Sequence, residues 1–227
     1  MSAAAATAEI TSLADLRLSL APEIARAAVF DGWSEAALLA AAQVQGVDPA
    51  LARLAFPDQA VPSRGMAMIA AFVDSVDAAM QARFADGSLG AMKIRQRIAA
   101  LVWFRLDQLV GLEEAMSRAL VIQAMPQNAS LALKLGWHSA DAMWRLAGDT
   151  ATDYNHYSKR AILAGIYAAC LAVYVNDDSE DKADARAFLD RRIDGVMRFE
   201  KAKARLLGSE REHFDLARFL GRLRYPS

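Results

Sequence analysis

The 227-residue sequence is poor in β-branched residues, proline and cysteine, and each shortage excludes something. Valine, isoleucine and threonine together number 25, against 49 alanines and 26 leucines. Alanine and leucine are the strongest helix formers and β-branched side chains favour strands, so a sizeable sheet is excluded. None of the six prolines lies in 63–125 or 127–225, which leaves two long stretches free for unbroken helix. Cys170 is the single cysteine, so an intrachain disulfide framework and a cysteine-based zinc site are excluded. The longest uncharged run, Ala161 to Asn176, is shorter than the ~18–20 residues that a bilayer span needs. Met1 to Thr7 shows neither the charged-then-apolar order of a signal peptide nor the arginine content of a transit peptide, so a reduced cytoplasmic compartment is expected. With 55% apolar residues, the chain can bury a full core without staples.

The net charge of −1 conceals a polarised chain. From Arg198 to Ser227 eight Lys/Arg face four Asp/Glu, so this end carries about +4 and the remainder about −5. Such asymmetry points to an anionic surface meeting the C-terminal end.

Turn residues divide the chain into about ten helices. Residues 1–20, rich in alanine, serine and threonine, read as a frayed N-terminus. Three short helices then follow: Pro22–Asp31, Glu35–Gln45 after an N-cap at Ser34, and Pro49–Ala55 after Gly46 and the Asp48 cap. Three helices joined by tight glycine turns form a helix-turn-helix-like unit over 21–60. A helical body is expected over 61–207. Ser63–Ala85 carries an apolar stripe of Met66, Ile69, Phe72, Val73, Val76 and Met80. Helices over about 91–110 and 112–125 come next, then one or two over 129–147 broken near Gly136, an apolar one over 153–176 and a charged one over 181–207. Gly208-Ser209 separates the last of these from a terminal helix over about 210–224.

Chemistry-bearing motifs are few. His138, His156 and His213 are far apart, and Glu210-x-x-His213 occurs once where a di-iron bundle needs two such pairs and two further glutamates. No nucleophile elbow, Walker loop or dinucleotide fingerprint occurs, so no catalytic residue, metal or cofactor is expected. The helix Ala161–Val175 is hydrophobic all round; a fully packed core is the default for it, and an apolar cavity the alternative. Trp103, Phe104, Met116, Met125, Trp144 and Tyr167 are the candidates to line such a cavity. On the terminal helix Leu216, Phe219, Leu220 and Leu223 share a face, with Arg211, Arg218 and Arg222 beside it. That arrangement suits a helix lying on an anionic bilayer, and equally a docked helix with a solvated basic flank. Between Gly148 and Arg160, Asp153, Tyr157 and Arg160 fall at i, i+4 and i+7, and a mixed aromatic and charged face of this kind fits a partner-binding patch.

Ala28, Phe30, Gly32, Trp33, Leu38 and Gly46-Val47 resemble the N-terminal signature of the tetracycline-repressor (TetR) fold. A ligand-responsive transcriptional regulator is therefore the alternative function. Electrostatics oppose it: over 22–60 only Arg26 and Arg53 stand against five carboxylates, and an acidic surface repels phosphates, so no nucleic-acid partner is expected.

A second resemblance is more specific. Asp141, Met143, Trp144, Ala147, Gly148, Asp149, Thr152, Asp153, Asn155, Tyr157 and Arg160 match the signature of the lipid-binding accessory proteins of ubiquinone biosynthesis. Leu163, Tyr167, Asp177, Asp178, Ser179, Phe188, Leu189, Arg191 or Arg192, and Ile193 continue the pattern. His156 stands where the family has tryptophan and Ala151 where it has serine. The resemblance implies a TetR-like helical bundle without DNA-binding function. It also implies a homodimer with no enzymatic activity, whose cavity binds isoprenoid quinone intermediates. The family partner is the di-iron hydroxylase of the pathway, which places Asp153, Asn155, His156, Tyr157 and Arg160 in the partner patch. The segment 208–227 would be the membrane-associating helix, and the protein would sit in the cytoplasm against the inner membrane.

Overall fold

The computed structural model describes residues 12–59, 61–150 and 154–209, with backbone alone for 154, 155, 197 and 199–209. Nine α-helices and no strand are found among the described residues. They are α1 Leu13–Asp31, α2 Glu35–Gln45, α3 Pro49–Ala55, α4 Arg64–Arg83, α5 Ile94–Asp107, α6 Glu113–Ala124, α7 Ala129–Leu146, α8 Tyr154–Tyr174 and α9 Ala183–Ser209. The all-helical class expected from the alanine and leucine content is the one formed, and a TetR-like bundle agrees with it.

Caps mark most boundaries where the sequence puts them. Ser34, Asp48 and Ser63 accept backbone N–H groups at the starts of α2, α3 and α4, and Gly46 closes α2 in the left-handed region at φ 67°. The start of α1 is different from the expected Pro22. Ser12 caps it, accepting the Asp15 N–H at 3.1 Å, so residues 13–20 are helical and Pro22 lies inside the helix. Proline in a helix costs about 3 kcal/mol. Leu16, Leu20 and Ile24 are fully buried along one stripe that runs past it, and each contributes about 1.5–3 kcal/mol, so burial wins.

One expected break is absent. α7 is continuous through Gly136, because an interior glycine costs only ~1 kcal/mol and Leu135, Ser139, Ala140 and Met143 bury one face across it. Helix α9 runs to Ser209, where the described residues end, and the expected terminal helix over about 210–224 lies outside them.

The chain divides after Leu189 into two units. The first holds α1 to α8 and the opening turns of α9; the second, among the described residues, is the rest of α9. In the first unit α1 packs against α2, α3, α4 and α6, while α7 packs against α4, α5, α6 and α8. Trp33 ties the α1–α2 corner into this bundle. Its indole Nε1 donates to the Ala115 carbonyl on α6 at 2.8 Å, and its ring meets Phe72 of α4. Gly65 permits that approach, since a Cβ there would stand 2.9 Å from the Trp33 carbonyl oxygen.

α8, which reads as apolar on every side, is only half enclosed. Arg160, Leu163, Cys170 and Tyr174 are buried along one stripe, whereas Ala161, Gly165 and Ala172 are exposed. Those outward positions are small, so they raise the hydropathy of the helix without offering much apolar area to water.

Candidate functional site: an apolar cavity and a clamped helix corner

Helices α4 to α8 line a half-open cavity of about 460 Å³. Its wall is formed by Phe72 and Val76 of α4, Leu109 beyond α5, Met116 of α6, Leu135 of α7 and Leu171 of α8. Between these lie Ala119, Ala124, Ala132, Gly136, Ala164 and Ala168, whose short side chains leave the space open. The volume falls within the ~300–1,000 Å³ of small-ligand sites, and a largely apolar lining is what such sites present.

One polar cluster interrupts the wall. Arg105 of α5 is 1% exposed and its Nη1 pairs with Asp77 Oδ1 of α4. The other Asp77 oxygen accepts from Ser139 Oγ of α7 at 2.9 Å, and the Arg105 guanidinium lies 4.7 Å over the Tyr167 ring of α8. Four helices thus meet at one ion pair, and Arg105, Ser139 and Tyr167 all line the cavity. The sequence reading passes over Asp77 and Arg105. The available signal is a carboxylate on the apolar stripe of α4, between Val76 and Met80, and an arginine within the equally apolar turn around Leu101, Val102 and Leu106.

A second construction lies at the α7–α8 corner. Gly148 leaves α7 at φ +90°, a conformation that L side chains rarely adopt, and Arg97 holds this exit by donating from Nη1 to the Ala147 carbonyl at 2.8 Å. Arg160 of α8, 2% exposed, then reaches across the corner. Its Nε meets Asp141 Oδ1 at 2.5 Å, and its Nη1 meets Asp149 Oδ2 at 3.2 Å and the His156 carbonyl at 3.0 Å. Lys159 bonds the other Asp149 oxygen at 2.7 Å, and the Trp144 indole donates to the Lys159 carbonyl at 3.0 Å. The motif residues Asp141, Trp144, Gly148, Asp149 and Arg160 therefore form one internal clamp.

Further along, Asp177 caps the start of the α9 region. Its Oδ1 accepts the Ser179 N–H and hydroxyl at 2.9 and 2.5 Å, and its Oδ2 the Ala185 N–H at 2.7 Å. Burial pushes the Asp177 carboxyl up, but these bonds and nearby Lys182 outweigh it and hold the group below the usual carboxylate value.

Comparison with known proteins bears on this region. Residues 129–200, which hold the clamp, all of α7 and α8 and the Asp177 cap, match the family model described as COQ9. The rat protein named "Ubiquinone biosynthesis protein COQ9, mitochondrial" (Rattus norvegicus) is 34% identical over 173 residues, 73% of this chain and 54% of the relative. Its human namesake (Homo sapiens) is 31% identical over the same length, 73% of this chain and 52% of the relative. A Xenopus laevis relative, "Ubiquinone biosynthesis protein COQ9-B, mitochondrial", is 38% identical over 93 residues, 41% of this chain and 32% of its own.

The chain is similar to the COQ9 family.

It spans about half the length of the rat and human COQ9 proteins it matches. Set against the COQ9 signature, the expected site residues separate into groups. Met116 and Tyr167 line the cavity; Trp103, Phe104, Met125 and Trp144 do not. Trp103 instead packs against Tyr174 and under Arg186, Phe104 against Phe84, and Trp144 at the clamp. Met125 lies at the α6–α7 turn, where its sulfur accepts from Gln127. Of the partner patch, Tyr157 is 61% exposed, with Trp137 and His156 against its ring. Arg160 does not share that face: it is turned inward, where it meets two partly buried carboxylates that demand a counter-charge. Asp153 lies outside the described residues and only the backbone of Asn155 is described. Leu216, Phe219, Leu220, Leu223, Arg211, Arg218 and Arg222 also lie outside them.

In the helix-turn-helix-like unit, Arg53 of α3 is bonded to Glu35 at 2.7 Å, and Arg64 reaches the same carboxylate at 2.5 Å. The single arginine that α3 offers to a phosphate is thus already committed to an internal pair. Among the described residues no helix is long and apolar enough to cross a membrane, and no three His, Cys, Asp or Glu residues gather as a metal site.

Proposed function

We propose that this protein acts in ubiquinone biosynthesis as a non-enzymatic lipid-binding factor. In this reading it takes an isoprenoid quinone intermediate into the cavity between α4 and α8 and presents it to the di-iron hydroxylase of the pathway. The observation that carries the reading is the apolar cavity itself, half of whose wall comes from α7 and α8, inside the stretch that matches COQ9. The names of the rat and human relatives support the pathway.

The energetics fit such a role. Each CH₂-sized group moved out of an apolar medium costs ~0.8 kcal/mol, so one five-carbon unit costs a few kcal/mol to lift from a bilayer. A cavity with an apolar wall offsets that cost, and a membrane-touching helix shortens the path. We assign the second task to 210–224, with Leu216, Phe219, Leu220 and Leu223 on the lipid and Arg211, Arg218 and Arg222 at anionic head groups. The exposed Tyr157, with Asp153, Asn155 and His156, forms the hydroxylase-facing patch of this proposal, and Arg160 supports it from within. The protein works as a homodimer at the cytoplasmic face of the inner membrane.

Mass spectrometry of the purified protein tests the reading. A co-purifying isoprenoid lipid, lost when the cavity is filled, is the expected result. Folded protein without bound lipid, together with normal ubiquinone in a strain lacking the gene, would refute it.

A further inference from the structure

The cavity has one charged corner, and its hydrogen bonding is incomplete. Arg105 is 1% exposed, yet its Nε–H has no acceptor among the described residues. A buried donor left without a partner costs free energy, and native structures rarely tolerate one without a use for it. This donor belongs to a side chain that lines an apolar space large enough for a ligand. Its neighbours fix the side chain firmly: Nη1 is tied to Asp77, Asp77 is tied to Ser139, and the guanidinium rests on the Tyr167 ring.

We propose that Arg105 is the head-group reader of this cavity, donating its free Nε–H to a neutral carbonyl-type oxygen on an otherwise apolar ligand. The inference rests on the cavity being a lipid site. Charge balance selects the oxygen. The Asp77 carboxylate already neutralises the guanidinium, so a carboxylate or phosphate entering the same space would leave a net negative charge in a low-dielectric surrounding. A ketone, ester or quinone oxygen brings acceptor lone pairs and no charge. It completes the hydrogen bonding of Arg105 without breaking the ion pair. The Ser139 hydroxyl donates to Asp77 and keeps that carboxylate from swinging to the vacant Nε. A hydrocarbon of equal length gains the apolar wall but leaves the donor unpaired.

Displacement of the neutral dye N-phenyl-1-naphthylamine from the full chain at pH 8 measures this directly. The probes are undecane, 2-undecanone and undecanoate. The ketone is expected to bind about tenfold more tightly than the alkane, a difference of about 1.4 kcal/mol, and undecanoate more weakly than the ketone. The infrared carbonyl stretch of bound 2-undecanone is expected below its frequency in hexane, as hydrogen bonding to a guanidinium requires. Asp77→Leu/Arg105→Met, which removes both charges at similar volume, should keep the alkane affinity and reduce the ketone preference to about onefold. Equal binding of alkane and ketone by the unmodified protein, a hexane-like stretch, or tightest binding of undecanoate would each overturn the head-group assignment while leaving an apolar site standing. Failure of all three probes to displace the dye would remove the cavity reading as well.

Discussion

Replacing Arg160 by methionine is expected to destabilise the fold by about 3 kcal/mol, and the clamp geometry sets this figure. Arg160 is buried and pairs with two carboxylates, Asp141 at 2.5 Å and Asp149 at 3.2 Å. Removing one partner of a buried ion pair costs about 3–5 kcal/mol, because the remaining charge is stranded. Here each carboxylate retains a second cation, Arg145 for Asp141 at 2.6 Å and Lys159 for Asp149 at 2.7 Å. Both of those cations reach into solvent, where pairs contribute ~0–1 kcal/mol, so they soften the loss without cancelling it. The lower end of the range follows. For a chain of this size that corresponds to roughly 6–12 °C in melting temperature. Urea unfolding followed by helical circular dichroism gives the free energy, with Tyr157→Ala as the comparison. Tyr157 is largely exposed and its loss is expected to cost under about 0.5 kcal/mol. In the Asp141→Asn/Arg160→Met double variant the cost should fall short of the sum of the single changes by more than about 1 kcal/mol. If Arg160→Met unfolds within 1 kcal/mol of the unmodified protein, the clamp does not hold the α7–α8 corner and the argument from burial is wrong.

Three other changes probe separate parts of the molecule. Ala132→Leu, which projects three extra carbons into the cavity, should abolish co-purification of lipid while leaving the urea midpoint unchanged or higher. Tyr174→Phe should stabilise by about 1 kcal/mol in the same unfolding assay, since the Tyr174 hydroxyl is buried without an acceptor among the described residues, and its pKa is pushed up to about 12 by burial and by nearby Glu113 and Asp107. Asp177→Asn should cost about 1–3 kcal/mol at pH 7 and flatten the acid limb of stability. Because the folded-state pKa of Asp177 is lowered, its contribution is full above about pH 4 and is lost as pH falls through the folded value, so the gap between the two proteins should close in acid.

The fold was legible where a local rule decides it. Ser34, Gly46, Asp48 and Ser63 act through backbone groups two to four residues away, and each stands at the boundary its chemistry predicts. Pro22 and Gly136 misled because their local cost is outweighed by burial against distant helices, which no window of sequence contains. The site was legible in outline. Tyr157 is outward as its i, i+4 spacing suggests, but Arg160 is not, since a position on a helical wheel does not tell which carboxylates sit across the corner. Asp77 and Arg105 went unread for a related reason: they lie on different helices, 28 residues apart, and only their meeting inside the bundle gives either a role.

Alanine is the link between the composition and the cavity. A bundle built from larger residues at 119, 124, 132, 164 and 168 would close around α8 and pack solid, since native interiors tolerate few voids beyond the size of a water molecule. Small side chains at those positions let α6, α7 and α8 keep their helical propensity while the space between them stays open. An apolar wall left facing water or empty space forgoes the burial that a packed core would supply. That stability must come from elsewhere in the first unit, and two ion-pair networks tie the helices around the cavity together. Asp77–Arg105–Ser139 joins α4, α5 and α7, and Asp141–Arg160–Asp149 joins α7 to α8. Such pairs are weak sources of net stability but strong sources of geometry, because every misaligned arrangement strands a charge. They fix the walls and leave the cavity to its ligand.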